Sequence, residues 1–208
     1  MEDVLEVYAA PYDPTRPKVN FDETTKQLLQ ETRHPLPAQP GRPQRYDDEY
    51  ERNGTRNLFL FVEPQAGRRH VQVTEQRTKV DFAHAMQGLV DAGYPEATVS
   101  RVGLDNLNTH KLASLYEAFE PAEARRMARK LELHDTPKHG SGLNMAEIEL
   151  SVLQHQGLDR RIPDEATLKR EIAAWEHQRN MEQATIDWRF SVSDARHKLK
   201  RLYPSLPS

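Results

Sequence analysis

The chain has 208 residues, of which 37% are hydrophobic and 29% charged, a composition that can fill the core of one domain with appendages and that excludes general disorder. Its 29 Lys and Arg residues stand against 32 Asp and Glu residues, so any nucleic-acid binding must depend on local basic patches. The absence of cysteine excludes disulfides and thiolate metal sites, and no basic leader or apolar run of roughly 18 residues indicates export or membrane insertion. We therefore expect a soluble, cytoplasmic protein.

The first part of the chain predicts a linker followed by three strands. Residues 1–17 end in PYDPTRP, whose three prolines favour an extended, linker-like segment. Within residues 18–29, Val19 and Phe21 alternate up to Asp22, which predicts a short strand with Asp22 near its exposed end. The proline-rich residues 31–46 predict a long irregular loop. The next two strands, NLFLFVE and RHVQVTE, are separated by the turn-forming PQAG and predict a hairpin.

The second part predicts alternating helices and strands. A helix follows Thr78, a plausible N-cap, and residues 97–106 form a strand with Asp105 at its end. One helix, or two helices broken near Pro121, then leads to the short strand LELHDT and to a helix that carries Glu147 and Glu149. The pattern indicates an α/β protein with a mixed sheet flanked by helices. We divide it into a linker-like segment (1–17), a catalytic core (18–160) and a C-terminal helical extension (161–208).

Three acidic residues stand beside predicted strand ends. If the strands that carry Asp22 and Asp105 are neighbours, their carboxylates converge at one edge of the sheet, where the helix that carries Glu147 can lie across them. Carboxylate oxygens suit Mg²⁺, and two such ions roughly 3.5–4 Å apart can promote phosphoryl displacement. Acids at strand ends are common, however, and do not by themselves establish a metal site.

The helix after residue 144 contains two candidate third acids. On a helical wheel Asn144, Glu147, Ser151 and Gln154 share one polar arc, whereas Glu149 points elsewhere among apolar neighbours. Only one glutamate can face the proposed metals. The wheel does not choose between them, because a glutamate enclosed by apolar residues can also be functional.

The sequence motifs around these acids resemble those of the DDE transposases of bacterial insertion sequences in the mariner superfamily. The resemblance is carried by VNFDET, YERNGTRNLFLFVEP, RTKVDFAHAMQGLVD, LDNLNTH and TPKHGSGLNMAEIELS, and it covers nearly all of residues 1–203. It implies an RNase H-like fold, two Mg²⁺ ions for which Mn²⁺ can substitute, and cleavage and joining of transposon DNA. By motif, Asp22 is the first ligand, Asp105 the second and Glu147, in the LNxxE frame, the third; Glu149 is the alternative third acid.

Residues beside the three acids receive weaker assignments. Asn106 and His110 either position water, phosphate or the loop after the second acid, or cap the following helix. Lys138 and His139 either contact DNA phosphate or belong to a solvated turn, and Asn144 is a further candidate for a supporting or DNA-contacting role.

Three features depart from the family pattern. We expect the chain to lack the helix-turn-helix region that the family has ahead of the catalytic domain, and Gly142 and Asp135 occupy positions where the family tends to have aromatic residues. A glycine before the catalytic helix frees the backbone and removes packing, so we expect this copy to be impaired.

The resemblance also implies partners and leaves rival functions. The expected partners are transposon terminal repeats and target DNA, with the chain acting as a homodimer or pairing with a full-length transposase or a separate DNA-binding segment. Its expected location is the bacterial cytoplasm, on the nucleoid when it is bound to DNA. The rivals are a non-catalytic remnant that acts only through interaction or dimerisation and an RNase H-like nuclease for RNA–DNA hybrids.

Overall fold

The computed structural model describes residues 1–33, 38–43, 47–105, 107, 109–137 and 140–203. Its five strands form one sheet in the order β3-β2-β1-β4-β5. The strands are β1 (Lys18–Glu31), β2 (Tyr50–Glu63), β3 (Arg68–Thr74), β4 (Ser100–Leu104) and β5 (Leu131–Asp135). The α-helices are α1 (Glu2–Ala9), α2 (Lys79–Gly88), α3 (Ala113–Ala118), α4 (Pro121–Ala128), α5 (Met145–Gln156), α6 (Glu165–Met181) and α7 (Val192–Lys198).

The sheet is mixed, as the sequence predicts. Strand β1 pairs antiparallel with β2 along nearly its whole length, and β2 pairs antiparallel with β3. On its other side β1 pairs parallel with β4, but only over Lys18–Asn20, and β4 pairs parallel with β5. The strands that carry or precede Asp22 and Asp105 are therefore neighbours, which is the condition that the predicted site required.

Both faces of the sheet are covered by helices because its central strands alternate apolar side chains on both sides. Phe21, Phe59 and Phe61 pack with Phe82 of α2 in one buried cluster. Leu58, Leu60 and Val62 of β2 pack on the other face with residues of α5 and α6, including Ala146, Leu153, Leu168 and Ile172. Helix α5 is thus held against the face of β1 opposite to Phe21.

Several local predictions are confirmed. Thr78 caps α2 through a capping box with Asp81, and the helix continues as a π-helical turn over Leu89–Gly93. The helical stretch after β4 is divided into α3 and α4, with Pro121 at the first turn of α4, where its missing N–H costs no hydrogen bond. The turn between β2 and β3 uses Gly67 at φ 64°, a conformation that favours glycine.

The N-terminal segment differs from the expected extended linker. Residues Glu2–Ala9 form helix α1, which buries Val4, Leu5 and Val7. The Tyr8 hydroxyl donates to Asn20 Oδ1 at 2.7 Å, and Glu2 forms an ion pair with Arg196 of α7. The prediction of an extended segment over residues 1–17 was wrong for this helix, because the three prolines all follow Ala10 and constrain only residues 11–17.

Strand β1 is also longer than predicted. It continues to Glu31, so Asp22 lies within the strand rather than near its end. What ends near Asp22 is the pairing with β4, whose last partner on β1 is Asn20. Asp22 remains accessible for this reason, although its backbone stays in the ladder with β2.

Side chains of α6 cover the outer edge of the sheet. The Val71 N–H donates to the Glu176 carboxylate at 2.9 Å. The Asn180 amide accepts from the Arg69 N–H and donates to the Arg69 carbonyl, both at 2.8 Å. These contacts occupy backbone groups of β3 that a further strand would otherwise use.

In the stretches that the structure describes, no helix combines the length and the apolar composition needed to cross a bilayer.

Candidate active site

Asp22 lies half-buried on β1 opposite Leu60 of β2, just beyond the last residue that pairs with β4. The Glu23 N–H donates to Asp22 Oδ1 at 2.9 Å. Burial raises the pKa of Asp22 to about 7, and the negative charges of Asp105, Glu147 and Glu23 add to the rise. The charges of Asp105 and Glu147 therefore both act on Asp22 in the folded chain.

The second acid, Asp105, directly follows β4. The carbonyl of Leu104, the last residue of β4, accepts from the Thr136 N–H at 2.8 Å and fixes the end of the strand. Beyond that point Asp105 has no strand ladder of its own, and its side chain is 29% exposed. Its position therefore depends on side-chain contacts.

The third acid, Glu147, stands in the first turn of α5, where the helix dipole favours a negative charge. Buried Asn144 caps this helix by accepting from the Ala146 N–H at 3.1 Å. The Asn144 amide also donates to the Phe21 carbonyl at 2.8 Å. This one side chain thus ties the start of α5 to the residue before Asp22.

His110 connects the second acid to Glu23, a residue that the sequence analysis did not select. Its Nδ1 hydrogen-bonds to Asp105 Oδ1 at 2.6 Å. Its Nε2 lies 2.7 Å from Glu23 Oε2, an ion pair that is poorly aligned as a hydrogen bond. Burial lowers the pKa of His110, but the hydrogen bond that it donates to Asp105 and the charge of Glu23 outweigh it and raise the pKa to about 9, so the imidazole is positively charged at neutral pH.

The sequence does contain a signal for Glu23. Residues two apart on a strand share a face, so Glu23 must point to the same side as Phe21, which is fully buried. A carboxylate directed toward an apolar core requires a partner. The signal can be used only if β1 is predicted to extend beyond Glu23. The sequence alone predicted a strand that ends near Asp22.

Glu149 points away from the three acids into a buried ion-pair cluster. Its side chain is 1% exposed and lies 2.7 Å from Arg179 Nη2 on α6 and 3.2 Å from Arg69 Nε on β3. The Arg69 side chain is fully buried and also donates to the carbonyls of Gly67 and Arg179. Glu149 therefore holds α5 against the sheet and α6, whereas Glu147 is the glutamate of α5 whose charge acts on Asp22.

Three of the weaker candidates, Asn106, Lys138 and His139, lie outside the described residues. The two positions that depart from the family pattern are both on the surface: Asp135 is exposed at the end of β5, and Gly142 is exposed before α5. A Cβ added at Gly142 would meet no heavy atom within 4 Å. A Cβ at residue 142 is therefore free of clashes with the surrounding atoms.

The chemistry of the three acids suits a divalent cation. Within the described part of the chain, no three His, Asp or Glu side chains form a ready-made metal cage. Asp22, Asp105 and Glu147 nevertheless offer only oxygen donors, and the repulsion that Asp105 and Glu147 exert on Asp22 is of the kind that a bound cation relieves. His110 occupies Oδ1 of Asp105, and among the described residues no hydrogen bond engages Oδ2.

A family of proteins described as DDE superfamily endonucleases matches residues 17–169, which include all three acids. Among curated proteins no sequence match was found. The family match extends into α6 and therefore covers the whole sheet and the helix that carries Glu147.

Solved structures of Mos1 transposase share the fold. The Mos1 mariner paired-end complex with Mn aligns with a TM-score of 0.58 and 14% identity, over 87% of this chain and 55% of that chain. The corresponding complex with Mg gives a TM-score of 0.54 and 16% identity, over 88% and 57%. The paired-end complex with the left transposon end gives 0.56 and 12%, over 82% and 52%.

The chain thus spans about half the length of the solved transposase chains that it matches. At these identities the likeness establishes the architecture, a mixed five-stranded sheet flanked by helices like the RNase H-like catalytic domain of Mos1 transposase.

Proposed function

Since the chain belongs to the family of DDE superfamily endonucleases, we propose that it is the catalytic domain of a DNA transposase from a bacterial insertion sequence. The observation that carries the proposal is the electrostatic cluster of Asp22, Asp105 and Glu147 on a fold shared with Mos1 transposase. Strand cleavage at the transposon end, followed by transfer of that end into target DNA, is the reaction that this arrangement would serve.

Each acid would contribute carboxylate oxygens to a pair of Mg²⁺ ions. Divalent ions in such a site activate a water or hydroxyl nucleophile and stabilise the leaving oxygen of an in-line phosphoryl displacement. Asp22 enters from the central strand, Asp105 from the end of β4 and Glu147 from the first turn of α5. The Mos1 complexes solved with Mn and with Mg support the choice of cation.

The contacts of His110 argue against a role for it as a general base. Both of its ring nitrogens face carboxylates, at 2.6 and 2.7 Å, and its raised pKa of about 9 keeps the imidazole protonated at neutral pH. A protonated imidazole cannot accept a proton from water. We therefore assign the deprotonation of the nucleophile in the proposed reaction to the ions that the three acids would hold, and not to His110.

The proposed partners are transposon terminal repeats and target DNA, since the Mos1 chains of the same fold were solved as paired-end complexes, one of them with the left transposon end. We further propose that the chain acts as a homodimer or with a full-length transposase or a separate DNA-binding segment. The near balance of acidic and basic residues predicts weak DNA binding by the chain alone.

The test is metal-dependent nicking of a labelled duplex that carries the element's terminal repeat, with Mg²⁺ and with Mn²⁺. We expect the chain to nick the duplex and Asp105→Ala to abolish nicking. Asp135→Asn is the matched control, because Asp135 ends the neighbouring parallel strand beside Asp105 yet is not one of the three acids. Equal nicking by the chain and by Asp105→Ala would contradict the assignment of the site.

A non-catalytic remnant is the second candidate function, and the two departures at Gly142 and Asp135 favour it. Such a remnant would bind Mn²⁺ at the three acids without cutting DNA, even when a DNA-binding domain is fused to its N-terminus. Nicking that the fusion restores would instead support a transposase that captures DNA poorly. An RNA–DNA hybrid, included as a third substrate, separates transposase activity from that of an RNase H-like nuclease.

A further inference from the structure

We propose that Glu23 and His110 are positioning residues that orient the carboxylate of Asp105 for cation binding. This inference rests on the proposed function and adds two residues to the site, neither of which would touch the cation. It follows from the way in which each of the three acids is anchored.

Asp105 is the only one of the three acids that lies on neither a strand nor a helix. Asp22 is held in the β1–β2 ladder, and Glu147 belongs to α5, which Asn144 ties to β1. Asp105 instead begins the segment after β4, and Thr136 secures the backbone only as far as Leu104. Its carboxylate therefore needs a side-chain anchor to keep one orientation.

His110 has the rigidity that such an anchor requires. Its side chain is 2% exposed and is enclosed by two aromatic rings: it stacks on Phe82 with centroids 4.9 Å apart and meets Phe21 edge-on at 5.1 Å. The hydrogen bond from its Nδ1 holds Oδ1 of Asp105. Fixing one carboxylate oxygen restricts the orientations that the other can take.

Glu23 completes the arrangement from the central strand. Its side chain is 5% exposed, and its Oε2 lies 2.7 Å from His110 Nε2. This contact fixes which ring nitrogen faces Asp105, much as residues behind metal ligands orient them in other proteins. Because Glu23 follows Asp22 directly on β1, the contact also fixes Asp105 relative to the first acid.

Replacement of these residues separates positioning from simple electrostatics. If charge alone mattered, His110→Asn would strengthen cation binding, because it removes a positive charge beside Asp105. If His110 positions Asp105, the same replacement weakens binding despite the favourable change in charge. Glu23→Gln removes a negative charge as well as the contact, so Asp135→Asn, which removes a charge near Asp105 without touching His110, measures the charge effect.

The experiment measures Mn²⁺ affinity by calorimetry on the full chain without DNA, with thermal stability measured in parallel. We expect Glu23→Gln and His110→Asn each to weaken Mn²⁺ binding by about 10-fold or more, as loss of residues behind metal ligands usually does. His134→Asn is the matched control for loss of a buried histidine, because His134 also lies between two carboxylates, at 2.8 Å from Asp3 and 2.9 Å from Glu132. It should lower stability and leave Mn²⁺ affinity unchanged.

Unchanged Mn²⁺ affinity in Glu23→Gln, or tighter binding in His110→Asn, would overturn the positioning role while leaving the proposed function intact. A loss in Glu23→Gln no larger than that in Asp135→Asn would also overturn it, by reducing the effect to charge. Absence of Mn²⁺ binding by the unaltered chain would overturn the proposed function itself.

Discussion

The two glutamates of α5 should have opposite roles, and replacing each by glutamine separates stability from catalysis. Glu149→Gln removes the charge that compensates Arg69, whose side chain is fully buried, and Arg179, whose side chain is 19% exposed. Loss of one partner of a buried ion pair costs about 3–5 kcal/mol. We expect the lower end of that range, because the glutamine oxygen can still accept a hydrogen bond from Arg179.

For a chain of this length, a loss of about 3 kcal/mol corresponds to a melting temperature roughly 6–12 °C lower. Glu147→Gln should leave the melting temperature of the metal-free protein unchanged or raise it, because it removes a negative charge that helps to raise the pKa of Asp22. The proposed cleavage activity should follow the reverse order, with Glu147→Gln inactive and Glu149→Gln active below its own melting temperature.

Thermal unfolding followed by circular dichroism in the presence of a chelator gives the first comparison, and the duplex nicking assay gives the second. A Glu149→Gln protein that melts with the unaltered chain would show that the ion-pair cluster does not stabilise the fold. A Glu147→Gln protein that loses as much stability as Glu149→Gln would show that both glutamates are structural.

Three further predictions concern the surroundings of the three acids. The pKa of Asp22 rises from 3.8 to about 7 on folding, so the stability that its protonated form provides at low pH is lost as the pH rises toward 7. Asp22→Asn should therefore stabilise the metal-free chain more at about pH 8 than at about pH 5, as measured by urea unfolding. Equal stabilisation at the two pH values would contradict this prediction. Asn144→Ala should cost about 1–3 kcal/mol in the same assay, because it orphans the buried Phe21 carbonyl, whereas Asp164→Ala at the exposed cap of α6 should cost about 1 kcal/mol. A Cβ at residue 142 would meet no heavy atom within 4 Å. Gly142→Trp should raise both the melting temperature and nicking if the departure at residue 142 impairs this copy, and unchanged values would argue against impairment.

Much of the sheet could be predicted because its residues carry strong local signals. The apolar run Leu58 to Val62, followed by a glycine-containing turn, indicated the β2–β3 hairpin, and Thr78 marked the start of α2. The pairing of β1 with β4 needed more than local pattern, since their contact is long-range, and it was inferred only as a condition for the acids to meet. The family resemblance then chose Glu147, where the helical wheel could not.

The features that sequence reasoning missed depend on tertiary contacts. Helix α1 is short and gains its stability by packing on β5 and α7, which no local pattern reveals. Glu149 could be recognised as structural only once Arg69 and Arg179, which lie far from it in sequence, were seen beside it. The role of Glu23 depends in the same way on His110, brought to β1 by the fold.

The way in which α6 covers β3 bears on how far this chain can be shortened. Residues 161–208 were expected to be an extension, yet Glu176 and Asn180 satisfy the backbone of Val71 and Arg69, and Arg179 neutralises Glu149. In a chain cut before α6, the outward amide and carbonyl groups of β3 would lose their hydrogen-bond partners. The apolar face of the sheet that packs against Ile172 would also become exposed. Such a fragment should self-associate through the exposed edge of β3 and precipitate. We therefore expect residues 161–208 to keep the rest of the chain in solution.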